Sequence, residues 1–330
     1  MRMVTRFLRR GPVAVVTVLA VLLAGAGCGG ASATTLPGLR VLVPNASGSG
    51  YDVTARTVAK AFEDAGIAFG VEVFNLPGAG GTVGLQRLLY EEGNGALMMV
   101  MGLGMVGAQY EHRSQARLQD ATPVARLLEE PNVVVVRPDS PYRDLDELLA
   151  AWRADPSGLS VGGGSRTGGP DHQAPMLMAQ EIGIDPRQVD YRRYDGGGGL
   201  LPAIISGEVD FAVTGLAQNA QQFASGQLRV LAVTGDRRVA ELDAPTLREA
   251  GVDVSFANWR GLIAPPGLSD ADLRALRDMA EELHRSEQWH RALDANGWQD
   301  AYLAGDEFGD FVAQQTRQLE GLLGQLGLGH

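Results

Sequence analysis

The chain has 330 residues and a mass of 34.9 kDa, a length that predicts about two domains. Its composition of 45% hydrophobic and 20% charged residues, with a mean hydropathy of -0.04, predicts a globular body. It excludes a disordered chain, a coiled coil and a polytopic membrane protein. The formal charge of -11 argues against nucleic acid as a partner, because an acidic surface repels phosphates.

The first 27 residues are predicted to form an export signal. These 27 residues carry four arginines and no acidic residue. The formal charge of the rest of the chain is therefore -15, four units more negative than the -11 of the whole sequence. The apolar run at 12–26 is too short for a comfortable membrane span. It leads through small residues to Cys28, the only cysteine of the sequence, in a pattern that resembles a bacterial lipoprotein cleavage box. We therefore expect a signal peptide over 1–27 and lipidation of Cys28, which leaves the mature chain without disulfides, catalytic thiols or cysteine-based zinc sites.

Small and polar residues at 28–38 predict a flexible tether, and the folded body is expected to begin near Leu39. Strand and helix patterns then alternate. A parallel sheet covered by helices is therefore predicted, with its ligand site at the carboxyl ends of the strands. The predicted strands of this first series are 39–43, 71–74 and 96–101, and the predicted helices are 53–65 and 82–90.

A second alternating series begins at the fully apolar strand 132–137. After it, the predicted elements are helix 145–152, strand 159–162, helix 171–181, strand 189–192, helix 200–206, strand 211–213, helix 218–225 and strand 228–233. A strand follows at 259–264. Ser269 and Asp272 then form a capping signature for a helix that runs to about 285, and further helices are expected up to the end.

Glycine-rich turns follow four of the predicted strands, at 44–52, 75–82, 162–169 and 194–199. The first two each lead into a helix, whose first turn has unpaired N–H groups and a partial positive charge. Such turns can hold an anion without lysine or arginine, and the other two turns would face them across a cleft. A single glycine turn usually marks only a tight bend, but four at strand ends favour an anionic ligand.

Residues 102–107 (Gly-Leu-Gly-Met-Val-Gly) match the dinucleotide-binding pattern G-x-G-x-x-G and follow a predicted strand. That site would require a further strand, ending in an acidic residue, soon after the motif. The chain instead continues with the polar stretch 109–119, and the next predicted strand ends at Arg137. Dinucleotide binding is therefore disfavoured.

The sequence contains none of the common catalytic motifs G-x-S-x-G, H-E-x-x-H or a phosphate-binding P-loop. Four of its five histidines lie in polar surroundings and are expected to be solvated. His172 is different because it follows Asp171 at a helix start beside the third turn, where a ligand contact and a capping role are both open. Ser165 has no evident base partner. We expect no catalytic residue, no metal and no cofactor.

At these turns the chain resembles the extracytoplasmic receptors of tripartite tricarboxylate transporters, the Bug-type receptors. The resemblance covers nearly all of 39–330, and the second turn combined with the Trp-x-Gly stretch is its most specific part. The matching segments are 44–56 with its Gly-x-Gly-x-Asp-x-x-Ala-Arg ending, 75–84, 138–141, 231–234, 244–251 and 259–267.

The resemblance implies an α/β, two-lobed type II periplasmic-binding-protein fold, with hinged lobes joined by two crossover strands that close on a carboxylated metabolite. It also implies that the first two turns hold one ligand carboxylate through main-chain groups and water, while the second lobe selects the rest. The first turn departs from the family pattern at Ser47, Ser49 and Tyr51, which bears on ligand preference. The candidate ligand contacts are Asn45, Ser49, Tyr51, Asp52, Gly78, Ala79, Gly80, Gly81, Thr82, Ser165, Arg166, Thr167, His172, Asp195 and Gly196.

The expected protein is a monomeric solute receptor, attached to the outer face of the cytoplasmic membrane through lipid alone. Its expected partners are a small di- or tricarboxylate or related acid and two integral membrane transporter subunits, without nucleic acid. The first lobe is expected to comprise 39–133 and 257–330, and the second 134–256. Two alternatives stay open: a secreted α/β hydrolase that depends on Ser165, and a binding module that serves a signalling system.

Overall fold

A computed structural model describes residues 38–194 and 197–327. Cys28, Asp195 and Gly196, for which the sequence predicts functional roles, lie outside these ranges. In the described residues ten strands form one connected sheet in the order β2-β1-β3-β9-β4-β7-β5-β6, and β8 and β10 both pair with β4. The strands are β1 (Arg40–Val43), β2 (Glu72–Asn75), β3 (Leu97–Gly102), β4 (Thr122–Val136), β5 (Ser160–Gly163), β6 (Asp190–Arg193), β7 (Phe211–Gly215), β8 (Arg229–Val233), β9 (Ala257–Ala264) and β10 (Gln299–Ala304).

Helices connect most of these strands and cover the sheet. In the first and second series the order of helices and strands follows the predicted alternation. The helices within the described ranges are α1 (Gly50–Asp64), α2 (Thr82–Leu89), α3 (Leu103–Glu111), α4 (Leu145–Ala154), α5 (Pro170–Glu181), α6 (Gly197–Ser206), α7 (Ala220–Ala224), α8 (Asp270–Arg285), α9 (Glu287–Asn296) and α10 (Gly305–Gln325). None of them is long and apolar enough to cross a membrane.

Strand β4 connects the two halves of the sheet. Its residues 122–131 pair with β9, and part of the same stretch pairs with β10, whereas 132–136 pair with β7 and β8. The chain passes between the halves along β4 and returns between β8 and β9. The predicted two-lobed α/β fold is confirmed, and β4 changes its neighbours between Pro131 and Asn132.

The strand directions bring the glycine turns to one edge of each half. β1 is parallel to β2 and β3, so their carboxyl ends at Val43, Asn75 and Gly102 share an edge. β5 is likewise parallel to β6 and β7 in the other half. Because ligand sites of open α/β sheets lie at the carboxyl ends of the strands, the fold directs the turns toward a common cleft.

The structure differs from the predicted elements in three places. The stretch 102–119, interpreted only as a motif and a polar segment, contains helix α3. The strand predicted at 132–137 begins ten residues earlier, at Thr122, where prolines and two register shifts disturb the alternation of polar and apolar residues. The region after α9, predicted to be helical, contains strand β10, a short and mostly half-exposed strand along β4.

Candidate functional site

A cleft of about 840 Å³ lies between the two halves. Turns at the carboxyl ends of strands from both halves line it, together with the segments of β4 and β9 that join the halves. Eight of the predicted contact residues line this cleft: Asn45, Tyr51, Gly78, Ala79, Gly80, Ser165, Arg166 and Thr167.

The first turn is organised by two side chains that do not line the cleft. Ser49 caps α1, since its hydroxyl accepts a hydrogen bond from the N–H of Asp52 at 3.3 Å. The Asp52 carboxylate is buried and accepts from the N–H of Gly48 at 2.8 Å. The Arg56 guanidinium donates to both Asp52 oxygens at 3.1 Å and holds the pKa of that carboxyl well below its usual range. Ser49 and Asp52 therefore shape the turn.

Asn75 connects the first two turns. Its amide donates to the carbonyl of Asn45 at 3.0 Å and to Asp52 at 2.9 Å. The first turn of α1 leaves the N–H groups of Gly50 and Tyr51 without an acceptor within the helix. Because Gly50 and Tyr51 also line the cleft, the positive end of α1 is directed into it.

The second turn has an unusual backbone. Gly78, Ala79, Gly80 and Gly81 have φ angles of 152°, 46°, 65° and 105°, four consecutive positive values that favour glycine. The N–H of Gly81 donates to the Gly78 carbonyl, and Thr82 donates through both N–H and hydroxyl to the Ala79 carbonyl. Among the described residues, no acceptor binds the N–H groups of Ala79 and Gly80. Both residues line the cleft, whereas Gly81 and Thr82 are buried within the turn.

Tyr51 faces the cleft from the first turn of α1. Its hydroxyl accepts a hydrogen bond from the N–H of Met105 at 3.2 Å. Burial raises the pKa of Tyr51 to about 12, so the phenol is neutral at physiological pH and keeps a proton that it can donate.

The third turn uses most of its polar groups internally. Gly164 donates its N–H to Asp171 at 2.9 Å, and Gly168 donates to Nδ1 of His172 at 3.2 Å. Ser165 accepts from the N–H of Asp171 at 2.8 Å and so caps α5. His172 packs edge-to-face on Tyr191 and does not line the cleft. Burial lowers the pKa of His172 to about 4, so the ring is neutral. Its observed partner is the N–H of Gly168 in the third turn.

The floor of the cleft contains residues that the sequence analysis missed. Glu130 and Asn132 on β4 and Asn258 and Arg260 on β9 all line it. In each pair the two residues are two positions apart and therefore share one face of a strand. Polar residues at this spacing within otherwise apolar crossover strands are the signal that could have identified them.

Arg260 and Glu130 form a buried ion pair. Nη2 of Arg260 lies 3.2 Å from Oε2 of Glu130, and their side chains are 8% and 5% exposed. Oε1 of Glu130 accepts the N–H of Ala217 at 3.2 Å, from the other half of the molecule. The guanidinium also approaches the first turn of α1, because a Cβ on Gly50 would lie 2.9 Å from Nη2. The pair therefore fixes the floor where the two halves join.

The two walls of the cleft touch at α3. A Cβ on Gly107 would lie 2.2 Å from the carbonyl oxygen of Gly168 in the third turn. Four residues further along α3, Oε1 of Glu111 lies 3.6 Å from Nη1 of Arg166, which belongs to the third glycine turn. Gly107, the last glycine of the 102–107 motif, therefore serves close packing between the halves.

Residues 54–328 match the tripartite tricarboxylate transporter family receptor. The protein BugT of Bordetella pertussis is 25% identical over 324 residues, covering 94% of this chain and 96% of BugT. A UPF0065 protein from the tcbD-tcbE intergenic region of Pseudomonas sp. strain P51 is 26% identical over 287 residues, covering 86% of this chain and 84% of that protein.

Solved structures share the fold. A TctC solute-binding protein from Polaromonas has a TM-score of 0.72 and 25% identity, and covers 87% of this chain and 98% of its own. MatC from Rhodopseudomonas palustris with bound malate has a TM-score of 0.68 and 23% identity, covering 88% of this chain and 99% of MatC. A second R. palustris protein, with adipate, has a TM-score of 0.73 and 22% identity, covering 89% of this chain and 98% of its own.

Proposed function

The chain belongs to the tripartite tricarboxylate transporter receptor family, and from this membership we propose that it captures a carboxylated metabolite in the cleft and delivers it to a tripartite transporter. It is a solute-binding receptor and not an enzyme. The hydrolase alternative is therefore wrong, and Ser165, its proposed nucleophile, instead accepts the hydrogen bond that caps α5.

One observation carries the proposal for a carboxylate. The N–H groups of Ala79 and Gly80 and the first turn of α1 enter the same cleft from one wall. Their partial positive charges suit a carboxylate and need no cationic side chain. The relatives with bound malate and adipate support this assignment.

We propose that the lobe boundaries lie near 133 and 257, as expected from the sequence. The change of partners along β4, from β9 at Pro131 to β7 at Asn132, supports the first boundary. The start of β9 at Ala257 supports the second. Closure of the lobes on the ligand would present the loaded receptor to two membrane subunits, which we propose as its partners.

Ligand binding is tested by a thermal-shift screen of di- and tricarboxylates, aromatic acids and acidic amino acids. A ligand that binds only the folded state raises the melting temperature in proportion to its occupancy. We expect at least one acid to stabilise the protein, and its methyl ester to lose most of that effect. If no acid produces a shift and isothermal titration shows no heat, the carboxylate proposal is refuted.

We also propose that the receptor is exported and held at the membrane by lipid on Cys28. The apolar run before it is too short to anchor a mature protein, so Cys28→Ser should release the protein from the membrane or leave an unprocessed precursor. Fractionation and the mass of the mature chain measure this, with Ser32→Ala in the tether as a matched control. Full processing together with full membrane retention of the Cys28→Ser variant would contradict the anchor.

A further inference from the structure

The charged side chains at the floor of the cleft do not balance, because two carboxylates lie beside one guanidinium. Glu130 is paired with Arg260 at 3.2 Å, and that pair is neutral as a whole. Asp171, beside them, is 8% exposed and lines the same cleft. Its Oδ1 accepts from the amide of Asn132 at 3.0 Å, and its Oδ2 accepts from the N–H of Gly164 at 2.9 Å. Asp171 is thus a second buried carboxylate, held by neutral donors.

No cation of the described chain balances Asp171. Within 38–194 and 197–327, no nitrogen of lysine, arginine or histidine lies within 4.0 Å of its carboxylate, since it takes part in none of the ion pairs. The adjacent His172 is neutral, because burial holds its pKa at about 4. Burial raises the pKa of Asp171 to about 6, and Glu130 contributes to this rise. An ionised Asp171 therefore bears an unbalanced charge in a poorly hydrated site.

The remaining charges at the cleft do not remove this imbalance. Glu111 and Arg166 at its edge lie 3.6 Å apart and compensate each other. The opposite wall presents the N–H groups of Ala79 and Gly80. Among the described residues that line it, the cleft is therefore bipolar, with main-chain donors on one wall and one uncompensated carboxylate, that of Asp171, next to the floor.

A ligand with two carboxylates and no cationic group would increase the negative charge beside Asp171, and like charges in a poorly hydrated site repel each other strongly. A ligand that carries an ammonium group as well as a carboxylate would place each charge beside a group of opposite charge. Its carboxylate would lie at the main-chain donors, and its ammonium group would lie at Asp171. We infer that the receptor takes an amine-bearing carboxylate of the amino-acid type, with the carboxylate at the second turn and the ammonium group against Asp171. This inference rests on the proposed function and narrows its ligand class.

Matched ligand pairs test the inference on the unaltered protein. Succinate and L-aspartate, glutarate and L-glutamate, butyrate and 4-aminobutyrate, and pentanoate and 5-aminopentanoate differ within each pair only by an amine. Titration calorimetry at a pH of about 7.5, where Asp171 is ionised, should show the amine member of the binding pairs at least about tenfold tighter. The same comparison applies to any acid that the wider screen identifies and its analogue with or without the amine.

The variant Asp171→Asn then locates the effect. Asparagine keeps an acceptor for Gly164 but removes the charge, so the amine member should lose at least about tenfold in affinity. Its amine-free partner is relieved of the repulsion and should bind at least as tightly as it binds the parent. The matched control is Asp139→Asn, whose side chain is 78% exposed and away from the cleft, and which should change neither. Circular dichroism and thermal unfolding without ligand verify that both variants fold.

Tighter binding of the amine-free member in every binding pair would overturn the inference and leave the proposed carboxylate receptor intact. An equal loss of both members in Asp171→Asn would overturn it as well. If no carboxylate of the screen binds, the proposed function itself fails, and the inference fails with it. The ligand pairs do not depend on the folding of any variant, so the test stands even if Asp171→Asn is unstable.

Discussion

Replacement of Gly80 by valine is expected to abolish ligand binding. Gly80 has φ of 65°, and a Cβ there would lie 2.5 Å from Cβ of Ala108 on α3. A valine must leave this left-handed conformation or displace the turn from α3, and either change redirects the free N–H groups of Ala79 and Gly80. We expect a loss of at least about 2 kcal/mol, more than tenfold in affinity, by calorimetry with an acid identified in the screen.

The steric and conformational causes can be separated with smaller changes. Gly80→Ala combines an unfavourable positive φ with a close contact between the new Cβ and Cβ of Ala108. The double variant Gly80→Ala, Ala108→Gly removes that close contact, because the nearest atom of residue 108 to the new Cβ is then its Cα at 3.6 Å. The double variant should recover part of the affinity that the single variant loses, with Ala108→Gly alone as the control. Unfolding without ligand should stay within about 2 kcal/mol of the parent for each alanine variant. A folded Gly80→Val protein that binds the acid as tightly as the parent would show that the second turn does not hold it.

The turns could be predicted because their signal is local. A short apolar strand, a glycine cluster and an amphipathic helix lie within about thirty residues and specify one βαβ unit without reference to the rest of the chain. The cap predicted from Ser269 and Asp272 is confirmed for the same reason, since the Ser269 hydroxyl accepts the N–H of Asp272 at 3.1 Å. Where neighbours in sequence are also partners in space, the pattern is sufficient.

Helix α3 was missed because its sequence serves a contact made elsewhere in the chain. Gly104 and Gly107 lower its helix propensity. In the structure a Cβ on Gly104 would approach the Tyr51 hydroxyl at 3.3 Å, and one on Gly107 would clash with Gly168. Close packing against other parts of the chain thus requires glycines in this helix. Their spacing matches a nucleotide-binding motif by coincidence.

The floor of the cleft was missed because it depends on strand pairing over a long separation. Glu130 and Arg260 are 130 residues apart, and they meet because β4 and β9 run antiparallel, with Glu130 opposite Asn258. Neither charged residue differs in isolation from a solvated one. The pairing of the crossover strands converts them into a buried pair at the junction of the halves.

Replacement of Gly107 by alanine is expected to prevent the two walls of the cleft from meeting. The new methyl group would lie 2.2 Å from the Gly168 carbonyl oxygen and 2.6 Å from its carbon, so α3 and the third turn must separate by at least about 1 Å. The Glu111–Arg166 contact, one helical turn away, would lengthen as well. If the ligand favours the arrangement in which the walls touch, its affinity should fall at least about tenfold.

Small-angle X-ray scattering and a matched glycine separate this effect from a change in stability. A saturating ligand should reduce the radius of gyration of the parent protein, while Gly107→Ala should show a smaller reduction or none. Alanine is the better helix former by about 1 kcal/mol, so Gly107→Ala should not destabilise the ligand-free helix itself. Gly321→Ala in α10, where no atom lies within 4 Å of the added methyl group, should share that gain and leave binding unchanged. Parent-like affinity and parent-like compaction in Gly107→Ala would mean that ligand binding does not require the contact between Gly107 and Gly168, and closure would then have to occur about a different pair of surfaces.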